Sequence, residues 1–358
     1  MNAARPPAAH PDLKTLLPIC PDAYPQAVDL VRGLVLVIRM DARAYRAASF
    51  LDDRILGPST EGGWMPGAAV TQAARQVAGG RPLHFIFHTG HVGSTLLSRL
   101  LDEAGAVLGL REPLPLRTLA DAHDVLGMPE SLLGTPQFES LLDMLLGLWS
   151  RGYESTRTVI VKATSSAGRL APQLLAQSPA SRAVYLNVAA EPYLATLLGG
   201  ANSAVDLRGH GPGRMRRLIA GRELPVAPLY ALSAGELAAL GWLVEGLSQA
   251  AAREAAGARL LALDFDALLA DVPGSISKVL AHFVLPRDDT SIAAITGSPV
   301  LRQYSKAPEQ PFPPGERAAR LAAARRDHAD EIAKGLAWLE RLARADTSVA
   351  AVLARGGT

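Results

Sequence analysis

Residues 83–103 read LHFIFHTGHVGSTLLSRLLDE. Strand-forming residues run into His88-Thr89-Gly90-His91-Val92-Gly93-Ser94-Thr95, and an amphipathic helix follows. Gly90 and Gly93 let a backbone turn tightly and approach an anion, while Ser94 and Thr95 fall at the helix start. Unpaired N–H groups and the helix dipole favour phosphate oxygens there, and the two hydroxyls add donors. Gly90, Val92, Gly93, Ser94 and Thr95 are therefore the candidate binding set for a phosphate-bearing nucleotide or a nucleotide-like donor. The plain alternative is a strand-to-helix turn capped by Ser94. It leaves the coincidence of strand, glycines, hydroxyl pair and helix unexplained. A nucleoside-triphosphatase loop would carry Lys immediately before the Ser/Thr that meets magnesium, and this chain has Ser94 before Thr95. The strand-like run 260–263 ending at Asp264 keeps an ATP- and magnesium-dependent kinase as a second reading.

His91-Val92-Gly93-Ser94-Thr95-Leu96-Leu97 resembles the donor loop of the sulfotransferase superfamily, specifically of its bacterial members and the protein-tyrosine sulfotransferases. The resemblance spans residues 83–306. It implies a P-loop α/β fold and transfer of a sulfuryl group from 3′-phosphoadenosine 5′-phosphosulfate to an acceptor hydroxyl or amine, with no metal. In that family a basic residue of the loop stabilises the bridging oxygen, and here its place falls on His91. Histidine can donate a hydrogen bond and can be cationic, but it is a weaker fixed charge than Lys or Arg. The resemblance maps a catalytic carboxylate onto Glu112, within Leu108-Gly109-Leu110-Arg111-Glu112-Pro113, where it could take the acceptor's proton. The alternative is a salt bridge of Glu112 with Arg111 or Arg117.

A second run, 158–164, resembles the family strand that ends in a Lys, here Lys162, and a charge at the carboxyl end of a strand suits a ligand crevice. Lys306, in Tyr304-Ser305-Lys306, matches a family Lys near the donor phosphates. The family's 3′-phosphate hydroxyl survives as Thr196, whereas the arginine's place is Val188, with Glu191 nearby. Substitute cations are Arg208, Arg214, Arg216, Arg217 and Arg222; the last four follow the turn Gly209-His210-Gly211-Pro212-Gly213. Such a segment could fold over the donor as a lid, or form a solvated loop. The missing arginine keeps a non-catalytic nucleotide-binding protein as a third reading.

The composition sets outer bounds. The chain has 358 residues with 49% hydrophobic and 20% charged content, enough for one large α/β domain or two modest ones. Lys and Arg number 36 against 34 Asp and Glu, so no global field drives nucleic-acid or membrane association, and any anion site must be local. Cys20 is the only cysteine, which excludes an intramolecular disulfide and a Cys-rich metal cluster. With no signal-peptide-like or membrane-length apolar run, the expectation is a cytoplasmic protein acting on a small-molecule or peptide acceptor.

Elements must hold these residues in place. Strand-length apolar runs occur at 34–38, 83–87, 159–161, 183–186 and 260–263. Helical spacing occurs at 95–103, 138–148, 191–198, 237–255 and 275–283. The alternation predicts crossover units and a mainly parallel sheet covered on both faces. Residues 1–80 read as an accessory amino-terminal layer with one strand, and 81–310 as the P-loop domain. Within 311–358, residues 317–344 should form a closing helix, interrupted once at most, that packs on the body.

Overall fold

Leu83, Phe85 and Phe87 alternate with His84 and Ile86, and every one of them is buried, as a strand covered on both faces requires. The computed structural model describes residues 11–200, 203–313 and 315–355. Its strands are β1 (Ala23–Asp29), β2 (Leu34–Arg39), β3 (Gly62–Pro66), β4 (Leu83–His88), β5 (Val107–Arg111), β6 (Thr158–Lys162), β7 (Ala183–Asn187), β8 (Leu260–Asp264), β9 (Gln303–Tyr304) and β10 (Ala307–Pro311). The central sheet has order β5-β6-β4-β7-β8 and is parallel throughout. β1, β2 and β3 form a separate antiparallel sheet, and β9 pairs with β10 as a hairpin.

The fold class is thus the expected one: an α/β protein with a parallel sheet flanked by helices. Each expected strand lies within β2, β4, β6, β7 or β8. The amino-terminal layer holds three strands rather than one. In β1 the register shifts between Pro25 and Ala27, which breaks the alternation that would announce a strand. In β3 the glycines and proline resemble a connection, but a side chain at Gly62 would meet the Val37 carbonyl at 2.5 Å.

Two cores sandwich the sheet. Phe85 and Phe87 join Tyr24, Val37 and Tyr45 of the amino-terminal layer on one face. Ile86 and Ile160 join Leu97, Leu194, Leu240 and Trp338 on the other. The closing segment is helical over Glu316–Asp327 and Ala329–Ala345, with one break at His328, and a last helix Thr347–Arg355 follows. The glycine-rich segment expected as a loop is instead inside the helix Ser203–Ile219, with Pro212 in its interior. Packing against the helix Ala234–Ala256 overrides the weak local propensity.

Arginines lock the layers together. Arg111 is fully buried; it pairs with Asp102 and donates to the carbonyls of Tyr45 and Ala48 at 2.9 and 2.8 Å. Arg99, on the helix Ser94–Asp102, donates to Ser49 Oγ at 2.8 Å and to the Ser305 carbonyl at 2.9 Å. The amino-terminal layer and the β9–β10 hairpin are therefore both tied to the helix that follows the glycine turn.

Buried histidines at both ends of β4 give the fold an acid limit. Burial, then Arg182 and His282, hold His84 down to about 4, and burial with Lys162 and Lys306 puts His88 well below its ordinary value. Each folded-state pKa lies below the unfolded one, so the unfolded chain binds more protons as pH falls below about 6.5. Stability should be full above that pH and fall towards pH 4, with His84 alone contributing about 2 kcal/mol of loss at pH 5. Urea midpoints at pH 7.5 and 5 check this; equal midpoints would contradict it.

Candidate anion and transfer site

The residues that follow the carboxyl ends of β4, β5 and β6 build the site. After β4 the chain enters Gly90 with φ 103°, His91 with φ 55° and Gly93 with φ 68°. Successive positive φ values turn the amides towards one side, a nest for an anion. Among the described residues no group accepts from the amides of residues 91–96, whereas Leu97 N–H already bonds the Gly93 carbonyl. The hydroxyls of Thr89 and Thr95 are sealed from solvent and likewise unpartnered.

His88 shapes the turn. Its ring is neutral, with Nε2 donating to the Ala163 carbonyl at 2.9 Å and Nδ1 accepting from Gly90 N–H at 3.1 Å. Phe265, just past β8, supports the far side: a β-carbon on Gly93 would stand 2.0 Å from its ring. Gly93 is thus fixed by its φ and by its neighbour. Beside Gly90 stand Ser165 and the Tyr193 hydroxyl.

Glu112 and Lys162 face each other across β5 and β6. Their side chains form an ion pair, both nearly sealed from water, and Glu112 N–H donates to the Lys162 carbonyl at 2.6 Å. Glu112 takes neither Arg111, which pairs with Asp102, nor Arg117. Its φ is 52°; among the described residues His91, Glu112 and Val284 are the non-glycine residues at positive φ. A side chain in that region is strained, and such strain concentrates at functional sites. Burial lowers the Lys162 pKa, opposed by Glu112. The ring of Phe50, from the amino-terminal layer, lies 5.9 Å from the Lys162 ammonium and 3.4 Å under Arg54.

His91 is exposed as a residue, yet protein crowds around its ring. That crowding first, then Lys306, pushes its pKa down to about 4, so at neutral pH it is an uncharged hydrogen-bonding group rather than a cation. Lys306, at the β9–β10 turn next to the Ser305 carbonyl held by Arg99, lowers the pKa values of His88, His91 and Lys162. It therefore fronts the same space.

Other expected residues sit apart from this set. The Thr196 hydroxyl bonds the Pro192 carbonyl at 2.7 Å within its own helix. Val188 is buried and its carbonyl accepts from Trp242 Nε1 at 2.9 Å. Glu191 pairs with Arg325, both oxygens at 2.7 Å. The Asp264 carboxylate caps the next helix through Ala267 N–H at 2.9 Å. On the β7–β8 side of the turn, Thr89, Asn187, Trp242, Gln249, Arg253 and Asp264 border a cavity of about 260 Å³.

Sequence reasoning missed Ser165, Tyr193, Phe265 and Phe50. The first three fall soon after the carboxyl ends of β6, β7 and β8, so the crevice rule for parallel sheets could have found them. Phe50 carries no such signal.

Gly93→Ala should cost about 2–4 kcal/mol, from the left-handed backbone and the overlap with Phe265. In a Phe265→Ala background the added cost should shrink. Urea unfolding of the two single variants and the double variant checks this, and strict additivity would contradict the contact.

No family model matches this sequence, and no curated protein matches it. Among solved structures the chain is similar to sulfotransferase STF9 from Mycobacterium avium, with 13% identity, 90% of this chain and 96% of that one covered, and a TM-score of 0.38. It is also similar to sulfotransferase STF1 from Mycobacterium tuberculosis H37Rv, at 16% identity, 75% and 82% coverage and a TM-score of 0.38. A third similar structure is mouse sulfotransferase SULT7A1 complexed with PAP, at 12% identity, 76% and 88% coverage and a TM-score of 0.37. These solved structures are sulfotransferases.

Proposed function

We propose that the chain transfers a sulfuryl group from 3′-phosphoadenosine 5′-phosphosulfate to an acceptor hydroxyl or amine. The observation that carries this reading is the row of unpartnered amides at residues 91–96 after β4, whose neighbouring strand β6 ends at Lys162, the partner of the strained Glu112. A phosphate oxygen satisfies such amides as protein groups do not, and the sealed Thr89 and Thr95 hydroxyls fit the same need. The donor, when bound, supplies an activated sulfuryl group with a phosphate as its leaving group.

The chain's own residues then have separable roles. The amides and Thr95 hold the 5′ end. Lys162 and Lys306 offer positive charge, and neutral His91 offers an N–H, where charge develops on the departing oxygen. Glu112 accepts the acceptor's proton once a donor oxygen draws Lys162 towards itself and loosens the ion pair. Val188 provides no charge for a 3′-phosphate, so that group falls to Arg253 at the cavity beside Thr89. The kinase reading is weaker, because no lysine precedes the hydroxyl pair and the Asp264 carboxylate is already used as a helix cap.

Titration with adenosine 3′,5′-bisphosphate, adenosine 5′-monophosphate and ATP with magnesium tests the donor. The bisphosphate should bind tightest, and about tenfold or more above the monophosphate. Equal affinities would remove the 3′-phosphate site, and tighter ATP binding would favour the kinase.

Glu112→Gln should leave bisphosphate affinity nearly intact and lower turnover by ~10² or more. It also leaves Lys162 buried without its counter-charge, so unfolding is measured alongside turnover. Full activity would assign Glu112 to structure. Because His91 is already neutral, activity should not fall between pH 6 and 8 through its titration. A fall that disappears in His91→Ala would contradict that protonation state.

A further inference from the structure

Arg214 and Tyr193 bring a second group of polar atoms to the glycine turn. Tyr193 is 2% exposed, and its hydroxyl lies 3.6 Å from where a β-carbon on Gly90 would stand. The same hydroxyl and the Arg214 guanidinium carbon lie 3.2 and 3.5 Å from where a β-carbon on Gly241 would stand. The two side chains therefore share one small space above the helix Ala234–Ala256.

Arg214 is only partly satisfied there. Arg214 is 9% exposed, and its Nη1 is sealed from solvent with no acceptor among the described residues. Its acidic contact is Asp206, at 3.8 Å and partly exposed, while the buried Glu245 bonds Arg217. The Tyr193 hydroxyl has no hydrogen-bond partner among the described residues. A buried guanidinium nitrogen without an acceptor is costly, and a ligand oxyanion would supply acceptors to the arginine and the phenol together.

We propose that Arg214 and Tyr193 form an oxyanion subsite beside the Gly90 turn, which takes a carboxylate, sulfate or phosphate carried by the acceptor. This rests on the reading that residues 91–96 hold the donor. Two observations assign the subsite to the acceptor. Tyr193, which shares this space with Arg214, stands beside Gly90, the residue before His91, so the subsite lies at the His91 end of the turn, and Arg214 also acts electrostatically on His91. The cavity on the β7–β8 side has its own cation in Arg253 for the donor's second phosphate. The acceptor class is accordingly a hydroxyl or amine compound bearing an anionic group.

Crystals of the full chain soaked in sodium selenate test the site through anomalous scattering. Wild type should show one peak at the amides of residues 91–96 and another touching the Arg214 guanidinium and the Tyr193 hydroxyl. Arg214→Ala should keep the first and lose the second, and Tyr193→Phe should weaken the second, which serves if the alanine variant does not fold. A loop peak alone in wild type overturns the subsite and spares the donor reading. A peak at Arg214 alone supports the subsite and counts against the donor reading. Affinity for adenosine 3′,5′-bisphosphate should change less than about twofold in Arg214→Ala; a loss of about tenfold or more would assign Arg214 to the donor's phosphate and overturn the proposal.

Discussion

A turn that leaves the amides of residues 91–96 without acceptors is a constraint on everything around it, because unpaired backbone donors are tolerated only where something holds them open. Here the holding is done from several directions. His88, neutral and of one tautomer, grips Gly90 from below while bonding the Ala163 carbonyl beyond β6. Phe265 fills the side on which a residue with a β-carbon would stand at Gly93. Arg99, one helical turn further on, fixes the helix to the amino-terminal layer and to the hairpin that carries Lys306. Separate parts of the chain thus converge on one backbone conformation, and the layer that looks accessory in the sequence is one of its supports.

The charges follow the same economy. Lys162 and Glu112 occupy adjacent strand ends and neutralise each other. A buried ion pair contributes little net stability compared with an apolar pair of similar volume, so its presence at a strained backbone position points to chemistry rather than to folding. Phe50 and Arg54, from the amino-terminal layer, stand against the same pair. The surroundings of the Lys162–Glu112 pair are therefore shaped by residues outside residues 83–306.

Much of the sheet was legible because buried parallel strands are short apolar runs, and the runs at 83–87, 159–161, 183–186 and 260–263 are of that kind. β1 and β3 were not, since a register shift and glycines hide their alternation. The Gly209–Gly213 segment misled in the opposite sense: its composition reads as a turn, and helix packing overrides it. In the site, the glycines of the turn announced its left-handed backbone. The pairing of Glu112 with Lys162, the neutrality of His91 and the buried nitrogen of Arg214 were not legible. Each depends on which groups from distant segments meet, and no local pattern encodes that.

If the amides of residues 91–96 hold the phosphate end of the donor, amide hydrogen exchange read residue by residue registers it most directly. Adding adenosine 3′,5′-bisphosphate should slow exchange at those amides markedly, with smaller changes along the cavity wall at Asn187 and Gln249. Binding of the bisphosphate that leaves exchange at residues 91–96 unaltered would contradict that role for the turn.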